Sequence, residues 1–211
     1  MRNKMIEAFL SPADREAVAA AVRAAEARTS AEIVPMVVGA SDSYPKAELA
    51  CAVAVGLAAG IVLTMACASR NMWLFLLFFS LFALAAFEAA KRLPRLKRLF
   101  LSRQRARHET RQAAQAAFYA HGLTGTRQRN AVLVYISVFE QLVFLLPDTG
   151  LAGSLGRPAL DALAADLGRG IARGRQREAL LACIDALAGL LAPHFPPRPD
   201  DANEIKDLIL I

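Results

Sequence analysis

The sequence predicts an α/β fold: a helix-flanked mixed sheet interrupted by a two-helix transmembrane hairpin. Three observations lead there. Short runs dense in Val, Ile and Leu at 31–38, 131–138 and 141–146 alternate with longer stretches whose apolar residues recur at helical spacing. Residues 49–68 carry no charge, and after the polar break Ser69-Arg70-Asn71 a second uncharged run covers 72–87. Lys and Arg then crowd the segment behind the second run. The first run is roughly the twenty residues that a bilayer core of ~30 Å requires of a helix. The second is shorter, but Ala89, Ala90 and the stems of Lys91 and Arg92 extend it while their charges reach the headgroups. A buried helical hairpin in a soluble protein is the alternative for such a pair.

Composition agrees. Of the 211 residues 55% are hydrophobic, high for a soluble α/β chain, and the hairpin accounts for much of the excess. The net charge of +6 is concentrated at Lys91, Arg92, Arg95, Lys97, Arg98, Arg103, Arg105, Arg107 and Arg111. Basic residues beside a span hold that end in the cytoplasm and are drawn to anionic lipid. No aromatic stacking platform or groove-reading motif accompanies them, so the partner expected is the lipid bilayer, together with other membrane proteins, and not nucleic acid. A hairpin returns to the side it left. The chain is therefore expected in a bacterial inner membrane, with two spans and with the folded domain and both termini cytoplasmic. Cys51, Cys67 and Cys183 lie on apolar segments without metal-ligand spacing, which predicts neither a disulfide nor a zinc site.

In chain order, residues 1–10 lack the unbroken apolar core of a signal peptide. Ser11-Pro12-Ala13-Asp14 combines a capping hydroxyl, a proline suited to the first helical position and an acid at the capping-box position, so a helix starts there. Val18, Ala21, Val22 and Ala25 form its apolar stripe, and it ends before Thr29-Ser30. Residues 31–38 read as a first strand buried on both faces. Pro35 within it lacks a ladder donor, which predicts an edge or bulged strand. A polar loop through Asp42 leads into the hairpin. Pro94 then opens one long helix to about Ala120, basic and membrane-facing in its first half and sheet-packing in its second, stopped by Gly122 and Gly125. The second and third strands form a hairpin turning at Phe139-Glu140, and Pro147-Asp148-Thr149-Gly150 ends it. Two core-facing helices follow, at 158–173 and 176–192. His194 to Pro199 is a stiff linker, and residues 203–211 are an aliphatic tail that docks or lies on the membrane. The domain organisation expected is thus 1–48, the hairpin 49–90, 91–192, and a tail from 193.

Thr29-Ser30-Ala31-Glu32-Ile33-Val34, then a long helix, then the strand Asn130-Ala131-Val132-Leu133-Val134-Tyr135-Ile136-Ser137, then Pro147-Asp148-Thr149-Gly150-Leu151 together resemble the TPM domain family. Its pattern is a TSxEIV first strand, an R-x-G-V-L-L-x-V-S second strand and a D-x-G-I end to the third. The similarity covers residues 10–192, with the hairpin inserted between first strand and long helix. It implies a helix-flanked α/β sheet. It implies one of two activities: acid phosphatases with bound calcium, or accessory factors in assembly or repair of membrane complexes. The chain departs from the pattern at Pro35, at Ala131 where Gly is usual, and in carrying the insertion.

The first and second strands are joined by a helical crossover and should run parallel. Glu32, Arg127, Arg129 and Asp148 then gather at one end of the sheet. Glu32 and Asp148 stand at family motif positions and, with the Thr149 hydroxyl, offer oxygen ligands to calcium or magnesium. Alternatively they pair with Arg129 or cap loop amides. Asp42 and Glu140 form a second, weaker pair at the opposite end. His108, His121 and His194 are scattered and make no triad. Gly153-Ser154-Leu155-Gly156 places amides at a helix start but lacks a phosphate loop's lysine and spacing. Two functions follow. One is a non-enzymatic interaction, assembly or quality-control factor for membrane complexes. The other is a metal-dependent, acid-phosphatase-like hydrolase using Glu32 and Asp148.

Overall fold

The structure, a computed structural model, describes residues 2–68, 70–151, 153, 155–197 and 208–211. Ser69 of the hairpin turn, Ser154 of the glycine-flanked stretch, Arg198 and Pro199 of the linker and residues 203–207 of the tail lie outside the described residues. The chain divides into two compact units, Met1–Ser41 with Arg107–Ile211, and Asp42–Ala106.

In the first unit, helix α1 (Arg2–Phe9) precedes α2 (Pro12–Glu26). The sequence reading gave α1 no place. It forms because Ile6 and Leu10 have a core to enter, at 4% and 0% exposure. Ser11 caps α2 as its residues dictate: its hydroxyl accepts the Asp14 N–H at 3.2 Å, and the Asp14 carboxylate accepts the Ser11 N–H at 3.1 Å. The Ser11 hydroxyl also donates to that carboxylate, which, with the Ser11 amide and Arg177, holds the Asp14 carboxyl below its ordinary range.

Strands β1 (Ile33–Val38), β2 (Val132–Ser137), β3 (Leu142–Pro147) and β4 (Ile209–Leu210) form one mixed sheet in the order β3-β2-β1-β4. β1 and β2 are parallel with Ile33 opposite Val132, and β2 and β3 are antiparallel with Val132 opposite Pro147. The tail ends as β4, parallel to β1 at Met36 and Val37. β1 is therefore flanked on both sides, not an edge strand. Pro35 is tolerated because of its parity. The carbonyls of Glu32 and Val38 face β2, accepting from the Val132 and Val138 amides, whereas Val37 and Gly39 bond Ile211 on the other side. The odd-numbered Pro35 thus turns its missing donor away from β2, and among the described residues β4 pairs only with Met36 and Val37. On that same side the Ile33 amide is satisfied by the Glu26 carboxylate at 3.3 Å.

Strand alternation splits the core into two layers. Ile33, Val37, Val132, Val134 and Ile136 pack with α2, α7 (Arg157–Ala172) and α8 (Gln176–Leu191). Val34, Met36, Val38, Leu133 and Tyr135 pack on Ala114 and Phe118 of α6 (Arg103–Ala120). In α8, Cys183 is 4% exposed, and burial, with Asp166 adding, pushes its thiol up to about 12.

The second unit contains α3 (Pro45–Ala66), α4 (Met72–Arg92) and α5 (Pro94–Leu99). α3 and α4 are long and apolar enough to cross a membrane, with mean hydropathies of 2.3 and 2.0 over their most apolar windows. Only 22% and 6% of those windows is buried, so the two helices are not a protein core within this chain. They pack on each other through small residues. A Cβ at Gly56 would lie 2.8 Å from the Ala83 Cβ, and one at Gly60 would lie 2.9 Å from the Phe75 ring. The turn closes with Ala68 left-handed (φ 48°) and Asn71 capping α4 by accepting the Trp73 N–H at 2.9 Å.

The single long helix expected from Pro94 to about Ala120 is two helices. α5 stops at Leu99, and α6 restarts with the Ser102 carbonyl accepting the Ala106 amide. The break lets Leu96 and Phe100 pack on Cys51, Ala86 and Ala90 at the foot of the hairpin. That packing is why this compact unit is wider than residues 49–90.

Candidate functional site

The ladder continues one residue beyond the strands at the end where β1 and β2 begin. The Val132 amide donates to the Glu32 carbonyl at 2.8 Å, and the Asp148 amide donates to the Ala131 carbonyl at 2.8 Å. Glu32, Ala131 and Asp148 therefore form one cross-strand row, on the same face as Val34, Leu133 and Leu146. Two strand spacings separate the carboxylate-bearing residues, about 10 Å between backbones, with only an alanine methyl between them. Both acids are buried, Glu32 at 7% and Asp148 at 4% exposure.

The Asp148 carboxylate is fixed from one side. Its Oδ1 accepts the Thr149 amide at 2.7 Å and the Thr149 hydroxyl at 3.3 Å, while the Asp148 carbonyl accepts the Leu151 amide at 3.1 Å and closes a turn after β3. Its Oδ2 is 3.6 Å from the Arg129 Nε and makes no hydrogen bond among the described residues. Arg129 is left-handed (φ 55°) and donates to the Thr124 carbonyl at 2.6 Å. Its own carbonyl accepts the Gly150 amide at 2.9 Å. Only glycine fits at 150, since a Cβ there would stand 2.2 Å from the Gln128 oxygen and 2.6 Å from the Arg129 oxygen. The structure thus brings Arg129 to Asp148, and Arg127 stays exposed on the loop. Among the described residues there is no group of three or more His, Cys, Asp or Glu side chains able to hold a metal. A cation at this row would rely on Glu32, Asp148 and the Thr149 hydroxyl.

Sequence reasoning missed the polar frame around the row. The Asn130 side chain, 4% exposed, donates to the Ser30 carbonyl. The Thr29 hydroxyl donates at 2.7 Å to the Phe195 carbonyl, which also accepts the Ser30 amide. The linker after α8 is thereby tied to the start of β1. The available signal was Thr29 directly before a strand, whose hydroxyl accepts the Ala31 amide at 3.2 Å, whereas the bond to Phe195 is long-range and leaves no local mark in the sequence.

At the opposite strand end, Glu140 is a structural tie. Its Oε1 accepts the Ser41 amide at 2.9 Å and its Oε2 accepts the Ser137 hydroxyl. The Ser41 hydroxyl donates to Ser137 at 3.0 Å and lies 3.3 Å from the Tyr135 hydroxyl. Asp42, paired with Glu140 on sequence grounds, falls in the other compact unit. His108, His121 and His194 lie on α6, just beyond it and after α8, so they do not share one element.

No protein-family model matches the chain, and no curated protein matches it. Among solved structures, the NMR structure of the BA42 protein from the psychrophilic bacterium Bizionia argentinensis is similar at a TM-score of 0.57 and 16% identity, over 96% of each chain. At that identity the likeness is one of fold.

Proposed function

We propose that this protein is a membrane-anchored interaction domain that assists assembly or quality control of membrane complexes. One observation carries the reading: two apolar helices are locked together through Gly56 and Gly60 while most of their surface is left uncovered. Such a pair serves as an anchor and, within the bilayer, as a surface for other spans. The resemblance of the first, second and third strands to the TPM family supports the same reading. The basic run after α4 supports a cytoplasmic domain in a bacterial inner membrane.

The native cysteines make the topology testable. Cys67 is exposed at the hairpin turn, and Cys51 and Cys183 are buried. An impermeant maleimide added to intact spheroplasts should label Cys67 alone. Labelling of Cys67 only after lysis would reverse the orientation. For the partner, a photocrosslinking residue at Leu57 or Leu81, on the uncovered faces, should give discrete protein adducts. Adducts with lipid alone would refute the assembly role.

A second reading, a calcium- or magnesium-dependent phosphoesterase, is favoured by the buried Asp148 Oδ2, which stands in one row with Glu32 without a hydrogen bond. Melting with and without each ion separates the readings. If the row holds metal, the ion raises the melting temperature and Asp148→Asn abolishes the rise. If Asp148 serves as a cap and ion-pair partner, ions do nothing. Asp148→Asn then costs about 1 kcal/mol or less, because Arg129 is half exposed. Asp148→Ala, which also strips the Thr149 amide of its acceptor, costs about 1–3 kcal/mol.

A further inference from the structure

The basic run behind α4 is not uniform. Lys97 is turned inward: its ammonium pairs with the Glu48 carboxylate at 2.6 Å and donates to the Ser43 carbonyl, and both charged side chains are about 85% buried by the protein (15% and 14% exposed). Together with Leu96 and Phe100, it fastens one face of α5 to the foot of the hairpin. Arg95 and Leu99, four residues apart, share the opposite face. Leu99 is 80% exposed and Leu93 54% exposed, although they lie among charges. Arg92, Arg95 and Arg103 are exposed as well.

We propose that this outer face of α5 is a binding surface for anionic phospholipid, with Leu99 entering the boundary between headgroups and acyl chains and Arg92, Arg95 and Arg103 on the phosphates. The inference rests on reading α3 and α4 as spans. The depth follows from Glu48. It sits in the first turn of α3, at the level where the exposed Arg92 ends α4 and the exposed Arg95 follows, and unshielded guanidiniums there belong to the headgroups and not to hydrocarbon. A short helix pinned there cannot avoid the interface. An exposed leucine flanked by arginines is the composition that interface selects. Guanidinium forks suit phosphate oxygens, and an anionic headgroup adds the net charge that zwitterionic lipid lacks.

The single tryptophan, Trp73, lies at the other end of the hairpin, at the start of α4, and separates failure of the inference from failure of the span reading. The full chain is reconstituted in phosphatidylcholine vesicles containing a minor share of brominated phosphatidylglycerol or the same share of brominated phosphatidylcholine. In the W73F/L99W protein, fluorescence should be quenched several-fold more by the anionic bromolipid. R92Q/R95Q/R103Q in that background should erase the difference. Trp73 in the wild-type protein should be quenched by both lipids alike. Quenching at Trp73 with none at position 99 overturns the lipid surface and leaves the spans standing. Equal quenching of L99W by both lipids, indifferent to the arginine changes, overturns its anionic selectivity. Absence of quenching at both positions overturns the span reading and the inference with it.

Discussion

Gly150→Ala should destabilise the α/β unit by an amount the structure sets. The Gly150 amide bonds the Arg129 carbonyl at 2.9 Å, and a Cβ would stand 2.2 Å from the Gln128 oxygen. No nonbonded carbon–oxygen contact is that short, and backbone cannot rotate aside as a side chain would. Either the turn lifts and the hydrogen bond goes, at about 1 kcal/mol, or the strand-entry loop is displaced, at about 1–3 kcal/mol for overpacking. The expected cost is therefore about 1–3 kcal/mol. Gly168 provides the control. It lies inside α7, and nothing stands within 4 Å of a Cβ built there. Gly168→Ala should stabilise by about 0.5–1 kcal/mol through helix propensity. The assay is alkylation of Cys183 in a Cys67→Ser background. Cys183 and Leu151, the neighbour of Gly150, belong to the same buried cluster, so its reactivity follows opening of that core. At about 1.4 kcal/mol per tenfold, Gly150→Ala should speed alkylation roughly 5- to 140-fold, whereas Gly168→Ala should slow it. Wild-type rates for Gly150→Ala would refute the close approach and, with it, the account of how Arg129 is held beside Asp148.

Gly60→Leu should force α3 and α4 apart, costing about 1–3 kcal/mol, while Leu57→Ala on the uncovered face leaves the detergent melting temperature nearly unchanged; equal effects would refute the glycine packing. Replacing residues 42–106 with a short flexible linker should leave a folded, soluble α/β unit, because loop entropy changes slowly with length. Removing only 49–90 strands Leu96 and Phe100 without their partners, and that shorter deletion should aggregate; the reverse solubility order would refute the unit boundary. The Asp14 carboxyl is held low in the folded state, so its contribution is complete above its unfolded value near 3.8 and fades as pH falls through the depressed folded value. Urea midpoints followed against pH should therefore show a weaker acid limb in Asp14→Asn than in wild type.

Local chemistry wrote much of this molecule into its sequence. Ser11-Pro12-Ala13-Asp14 started α2 because a capping box needs only four adjacent residues. The uncharged runs marked α3 and α4 because length and hydropathy are sums over one segment. The β2–β3 hairpin followed from two apolar runs joined by a short turn, and the parallel β1–β2 pair from the crossover between them. What the tertiary structure decided is what depends on a distant partner. Pro35 marked an edge in isolation, yet its meaning turned on which side of β1 its missing donor faces and on a tail about 170 residues away that supplies β4. α1 exists because Ile6 and Leu10 find a core, and the expected long helix broke at Phe100 because Cys51, Ala86 and Ala90 offered that ring a site. Glu32 and Asp148 were legible as two acids at strand ends. That they share one row, with Arg129 on one of them, required register, which is fixed by the pairing of strands and not by the residues of any one of them.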